Sequence, residues 1–497
     1  MTGSGAVTGS WQPGARRLEF ADRMGHVALE LSFVLPGRDV TAEEGTDEDV
    51  LVLVSDALRI RLRIIAAGRA QSVHLTIDNR TADPADLTGV ELDLDSGPQH
   101  AGWYWASGPH AVFAAFGAGG GRPGVLVRLR SGYALRSDSG PAFEHPGTSR
   151  TLAPSPAEPG SGGASVRLTV PDGPLAPYGR LGWSFEVAGE ADVAAFAAAL
   201  PPWLPTTVVD ADSFIEFREP DLAVVAESDV LVEESDTEVT LSAQPGHHEI
   251  AVHGPRGVDR FGLTWAPSEL DVLASVAAAA VRGRPAKASD ADGLVVAEAL
   301  ARGIADEAAL DWAEAVDWLD RGSLLGDATA GILAALTVER LAFDEVWRQL
   351  ERRTPEAGFG LVVARLGAAG FAGFGTPPRT QPLLAAAGTG SDAAVELALL
   401  RSGDADWWTE ELDGYALTLG ADLPGRALGL AGVRAAYLAS VLRLTPEGWS
   451  GRRAALDAVL KTERMLLADY GPAMGARRAN RAPADALAWL TLGRLGM

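Results

Sequence analysis

The spacing of apolar residues changes once along the chain. Up to Ala266 they alternate with polar ones in twos, as in "HVALELSFVL", "VLVLVSDALRIRLRII" (Val50 to Ile65), "SVHLTIDNRT" (Ser72 to Thr81) and "GVELDLDSG" (Gly89 to Gly97). A period of two turns one face of each strand to a core and the other to solvent. Turn formers such as those of "DNRTADPADLTG" separate the strands. Further strands are predicted at "HAVFAAFG", "GVLVRLR", "ASVRLTV" and "LGWSFEV". A helix over Ala191 to Leu200 ends at "PPWLP", and then "FIEF", "LAVVA", "DVLVEE", "EVTLSA", "HEIAVHG" and "RFGLTWA" resume the strand pattern. The whole predicts an antiparallel β-sandwich, with the later strands as more of the same sandwich or a small second one.

From Ser268 the period becomes 3.6. "SELDVLASVAAAAV" opens with a capping signature, and "DEAALDWAEAVDWLDRG" places Trp312, Val316 and Leu319 on one stripe that stops at Gly322. Helices recur to Leu495 between Gly and Pro stops, too irregularly for a tetratricopeptide or ankyrin array. The fold class is therefore multidomain, β then α. Residues 1–14 are expected to be disordered, 15–266 to form the sandwich region, and 267–497 to form helical hairpins packed as a toroid or solenoid.

Charge and cysteine usage narrow the function classes. The formal net charge of −24 argues against nucleic acid and anionic membrane as partners. With no cysteine, thiolate nucleophiles, disulfides and cysteine-bound metals are excluded. The start lacks a secretory pattern and no apolar run is long enough to span a bilayer, so a cytoplasmic setting is expected. Lysine occurs only at Lys287 and Lys461. The stretch from Arg452 to Arg494 is rich in arginine and is expected to pack within the chain or against a second copy in a homo-oligomer.

A strand-rich half followed by a helix-hairpin half resembles the six-hairpin glycosidases, in which a β-supersandwich precedes an (α/α) toroid. "DADGLVVAEALARGIADEAALDWAEAVDWL" (Asp290 to Leu319) is similar in texture to their helical openings. The resemblance implies a carbohydrate-active protein with an oligosaccharide or other glycan as ligand, acting as an inverting glycoside hydrolase or a phosphorylase. A non-catalytic carbohydrate-binding or scaffold protein of the same architecture is the alternative. No catalytic residue carries over by position, and no cofactor or metal is expected.

Candidate chemistry concentrates in "DADWWTEELDGY" (Asp404 to Tyr415). Trp408, Leu412 and Tyr415 follow a core-facing helical stripe, while Trp407 and Glu411 emerge side by side on a second face. An indole and a carboxylate together suit a sugar ring, which stacks its C–H face and offers hydroxyl protons. Glu411 or Glu410 is thus the candidate general acid, with Asp317 as a possible second carboxylate and Trp407 and Tyr415 as binding residues. The same residues also make a well-capped, core-anchored helix. In "AGWYWASGPH", Trp103 and Trp105 share one strand face; exposed they form a sugar platform, buried they are core. In "GHHE", His247 and Glu249 share parity with His253, but the spacing of helical zinc sites is absent.

Overall fold

The computed structural model describes residues 8–12, 17–21, 27–34, 41–43, 50–67, 70–87, 90–96, 100–117, 124–132, 135–137, 150–152, 165–169, 174–191, 193–218, 221–235, 238–285, 288–315, 358–368, 392–399, 432–445, 452–470 and 482–493. The predicted change of regime is present: antiparallel sheets come first and helices follow.

One sheet runs, in spatial order, β1 (Thr8–Gln12), β2 (Arg17–Ala21), β3 (Val27–Val34), β9 (Glu91–Ser96), β15 (Ser165–Thr169) and β13 (Leu135–Ser137). A larger one runs β14 (Arg150–Leu152), β10 (His100–Ala106), β11 (Ala111–Gly117), β12 (Gly124–Ser131), β17 (Arg180–Ala191), β7 (Ala70–Asn79), β6 (Leu58–Ala67), β5 (Val50–Val54) and β4 (Thr41–Glu43). β8 (Ala85–Asp86) and β16 (Pro174–Leu175) form a small separate pair. The later strands make a four-stranded sheet of β18 (Val208–Asp210), β24 (Gly257–Ala266), β23 (Gly246–Gly254) and β20 (Ala223–Ala226). Beside it lie β19 (Ile215–Phe217), β22 (Val239–Ala243) and β21 (Val230–Glu234). Strand β1 falls inside the stretch expected to be disordered. It pairs with β2 from Thr8↔Ala21 to Gln12↔Arg17, so the edge of β2 recruits a segment too short to show a period of its own.

Two cores share the large sheet. Phe113, Ala115, Val125, Val127 and Phe185 face the six-stranded sheet, joining Leu18, Phe20, Leu29, Leu31 and Leu94. The alternate residues Trp105, Val112 and Ala114 face the other way. They pack with Phe217, Ile250, Phe261 and Trp265 of the later strands and with Phe196 of helix α1 (Val193–Ala199). The later strands are therefore a second β unit stacked on the back of the first sandwich.

The helices are α2 (Glu269–Val281), α3 (Asp290–Ala301), α4 (Glu307–Glu314), α5 (Phe359–Ala368), α6 (Asp392–Leu399), α7 (Gly432–Arg443), α8 (Arg452–Tyr470) and α9 (Ala482–Gly493). Helix α9 packs against α7, α3, α5, α2 and α8 around a continuous apolar core. Ser268 stands at the N-cap of α2 without a side-chain cap, whereas Ser289 and Asp292 form a full capping box on α3. Helix α8 also packs on β24, β18 and β23, which joins the helical region to the second β unit. No described helix is long and apolar enough to cross a membrane.

Candidate functional site

The sequence-derived candidates separate into three groups. Glu410, Glu411, Asp317, Trp407 and Tyr415 lie outside the described residues. Trp103 lies on β10 with its backbone opposite Ala114. Trp105 is fully buried in the second core, edge-on to Phe261 at 6.2 Å. This corrects its reading as a sugar platform. The large sheet is covered on both faces here, so the face opposite the first core is not a solvent face.

What the fold does build is a cleft of about 620 Å3 at the junction of the first sandwich, the second β unit and the helices. Its size lies within the roughly 300–1,000 Å3 usual for ligand pockets. The segment that breaks α1 supplies one wall, through Leu200, Pro201, Pro202, Leu204, Pro205 and Thr206. Prolines fix their own backbone and donate no N–H, so this wall is stiff and largely apolar. Arg128 from β12 and Lys461 from α8 bring positive charge to it. Thr207 also lines the cleft; its buried hydroxyl oxygen has no partner among the described residues.

Arg128 owes its position to strand register. It pairs with Val112 of β11 on one side and with Glu186 of β17 on the other, so it shares a face with the second-core residues rather than with Val127 and Leu129. It is half-buried and makes no hydrogen bond or ion pair among the described residues. Burial, then the nearby Arg130, lowers its affinity for its proton; Glu186 opposes this and Arg256 adds to it. Glu186 is itself engaged by Arg130, whose Nε lies 2.9 Å from Oε2. The cleft thus holds an under-compensated guanidinium in a strongly acidic chain.

Beside this region the β10–β11 turn carries Ser107 and His110, which converge on the buried Asp259 of β24. His110 Nδ1 lies 2.9 Å from Asp259 Oδ2 and 3.0 Å from Oδ1, and Ser107 Oγ donates to Oδ1. The histidine packs edge-on against Trp203 at 5.9 Å. Because Ser107 bonds the aspartate and not the imidazole, the three do not form a nucleophile–base relay. They clamp the turn onto β24, as does the Arg260 N–H that donates to the Ser107 carbonyl at 2.9 Å.

Deep in the helical region, Glu396 of α6 is fully buried. Oε1 accepts from Gly358 N–H at 2.7 Å and from the Tyr437 hydroxyl, and Oε2 accepts from Gly360 N–H at 2.8 Å and Leu361 N–H at 3.2 Å. It satisfies the open N–H groups at the start of α5. Burial pushes its carboxyl up to about 7, against the pull of Tyr437 and the three backbone N–H groups. No motif marked Glu396 in the sequence; its partners are some 35 to 41 positions away.

No family model matches the sequence, and no curated protein matches it. Among the solved structures that do match is a polysaccharide lyase, 12% identical, with 94% of this chain and 82% of that chain covered and a TM-score of 0.46.

Proposed function

We propose that this is a carbohydrate-active protein whose cleft receives an anionic group, with an acidic glycan as the favoured ligand. The observation that carries the reading is Arg128: a half-buried guanidinium without a hydrogen bond or ion pair among the described residues, on the wall of a cleft shared with Lys461. A carboxylate or sulfate on a sugar would pair with both cations, with the Thr207 hydroxyl within the same wall. The proline wall would take the apolar side of the ring. The order of a β region before helices supports the carbohydrate class, with the helices closing as a toroid.

Catalysis is the second tier of the proposal. In an inverting hydrolase, Glu411 or Glu410 serves as general acid and Asp317 as the second carboxylate, with Trp407 and Tyr415 binding sugar. In a phosphorylase, the cation pair in the cleft holds inorganic phosphate instead.

Calorimetric titration with acidic and neutral oligosaccharides of equal length tests the reading. Tighter binding of the acidic ligand is expected. Arg128→Gln and Lys461→Gln should each weaken it by roughly tenfold or more, the scale of a lost charge-assisted hydrogen bond. Equal affinity for neutral ligands, or binding indifferent to both substitutions, would overturn it. A parallel titration with inorganic phosphate separates the phosphorolytic arm.

A further inference from the structure

Two carboxylates and one imidazole converge where the second β unit turns from β20 to β21. The Val230 N–H donates to the Glu227 carbonyl at 3.1 Å, closing a tight turn that carries both Glu227 and Asp229. Strand β20 pairs with β23 up to Ala226↔Ile250, which sets this turn beside the start of β23, where His248 lies. One ligand-type atom from each of Glu227, Asp229 and His248 falls within 4.8 Å of the others. The histidine of the opposite parity, His247, is elsewhere engaged, its Nδ1 2.9 Å from Thr264 Oγ1, and His253 is exposed near the far end of the strand. The trio of His247, Glu249 and His253 that shares a strand face therefore does not converge.

The state of His248 is legible from its neighbours. Its side chain is 5% exposed and is met edge-on by Trp265 at 5.5 Å. Nε2 lies 2.8 Å from the Gln244 carbonyl oxygen, which can only accept, so Nε2 carries a proton. In the neutral ring Nδ1 is then a bare lone pair. That atom is buried and 3.1 Å from Asp229 Oδ2, yet off the line of a hydrogen bond and without a hydrogen-bond partner among the described residues. Two lone pairs so placed repel each other unless a cation lies between them. Ligands held at about 2.0–2.2 Å from one tetrahedral ion stand about 3.3–3.6 Å apart, a few tenths of an ångström beyond the 3.1 Å between these two atoms.

We propose that His248 Nδ1, Asp229 and Glu227 form a binding site for a divalent metal ion of the zinc type. An imidazole nitrogen with two carboxylates suits Zn2+, whereas Ca2+ and Mg2+ prefer oxygen ligands throughout. The Nε2–H bond to a backbone carbonyl is the outer contact that fixes the tautomer of metal-bound histidines. Asp229 and Glu227 are exposed, so the remaining coordination positions face solvent and are open to water or a ligand group. The site is built independently of the cleft and stands whether or not the cleft binds a glycan.

Titration of the metal-stripped full-length protein with Zn2+ tests the site. A saturable site is expected that excess Mg2+ or Ca2+ does not displace. Asp229→Asn and Glu227→Gln, both at exposed positions, should weaken Zn2+ roughly tenfold or more while leaving the metal-free melting curve unchanged. X-ray absorption of the loaded protein should show an imidazole nitrogen in the zinc shell. The proposal fails if Zn2+ does not saturate, or if it binds both variants as tightly as the wild type. It fails equally if NMR finds both ring nitrogens of His248 protonated with Zn2+ present, which makes the contact an ion pair with Asp229.

Discussion

Glu396 ties the stability of the helical region to pH. Its carboxyl is raised in the fold from the ordinary 4.5 to about 7, a difference of about 3 kcal/mol between the two protonation states. A raised folded value means that the folded state holds the proton more tightly. Its contribution is complete below pH 4.5 and is lost as pH rises through about 7. Glu396→Gln removes this titration but turns an amide N–H2 toward backbone N–H donors on whichever side it takes, at a cost of about 1–3 kcal/mol. Denaturant unfolding should therefore show the variant well below wild type at pH 5, with the gap narrowing by pH 8. A gap independent of pH would mean that the carboxyl stays ionised throughout. None of this was legible in the sequence, where "AAVELALL" reads as an ordinary helix segment with one polar residue. A buried carboxylate is identified by its donors, and those come from α5 and α7.

At the scale of elements, two helix contacts depend on a missing side chain. A Cβ on Gly360 would meet the Cβ of Glu396 and lie 2.9 Å from that residue's carbonyl carbon and 3.1 Å from the Leu397 nitrogen. On Gly493 it would lie 2.6 Å from the Ser440 Cα. In both cases the obstacle is backbone, which cannot swing aside. Alanine in place of either glycine gains up to about 1 kcal/mol in helix propensity but forces the helices apart, so a net loss of about 2 kcal/mol is expected. Thermal unfolding of the two single variants measures it. The strands and many helices were legible because period two and period 3.6 are local signals. How closely α5 approaches α6, or α7 approaches α9, was not, since a glycine within a helix pattern reads the same whether a neighbour presses on it or not.

For the whole molecule, adjacent residues of α8 take opposite parts in joining its regions. Glu463 faces inward and is held by Arg443 of α7 at 2.6 Å, with both side chains nearly buried. Burial raises its carboxyl and Arg443 draws it back down. Arg464 faces outward and grips Asp210 of β18 with two bonds of 2.9 and 2.7 Å, across the junction with the second β unit. That pair is partly exposed, so it is worth at most about 1 kcal/mol and is screened by salt. Arg443→Met should cost about 3–5 kcal/mol by stranding a buried carboxylate, and more at pH 8 than at pH 5, because a protonated Glu463 needs no counter-charge. Arg464→Met should cost under about 1 kcal/mol and less in high salt. Chemical denaturation of both variants at two pH values separates the two roles. The sequence expectation that the arginine-rich end packs within the chain is met at Arg464. Which face of β12 takes Arg128 was readable only from its register with Val112.

The shared sheet has a practical corollary for anyone dissecting the protein. Strands β10 and β11 serve two masters, one set of side chains for each core. A fragment that ended before β18 would keep the first sandwich paired and hydrogen-bonded. It would also leave Trp105, Val112 and Ala114 covered by α1 alone, with the rest of that apolar wall in water. Such a piece would be a well-formed but adhesive body, apt to stick to itself, and its clumping would say nothing about how the intact chain behaves.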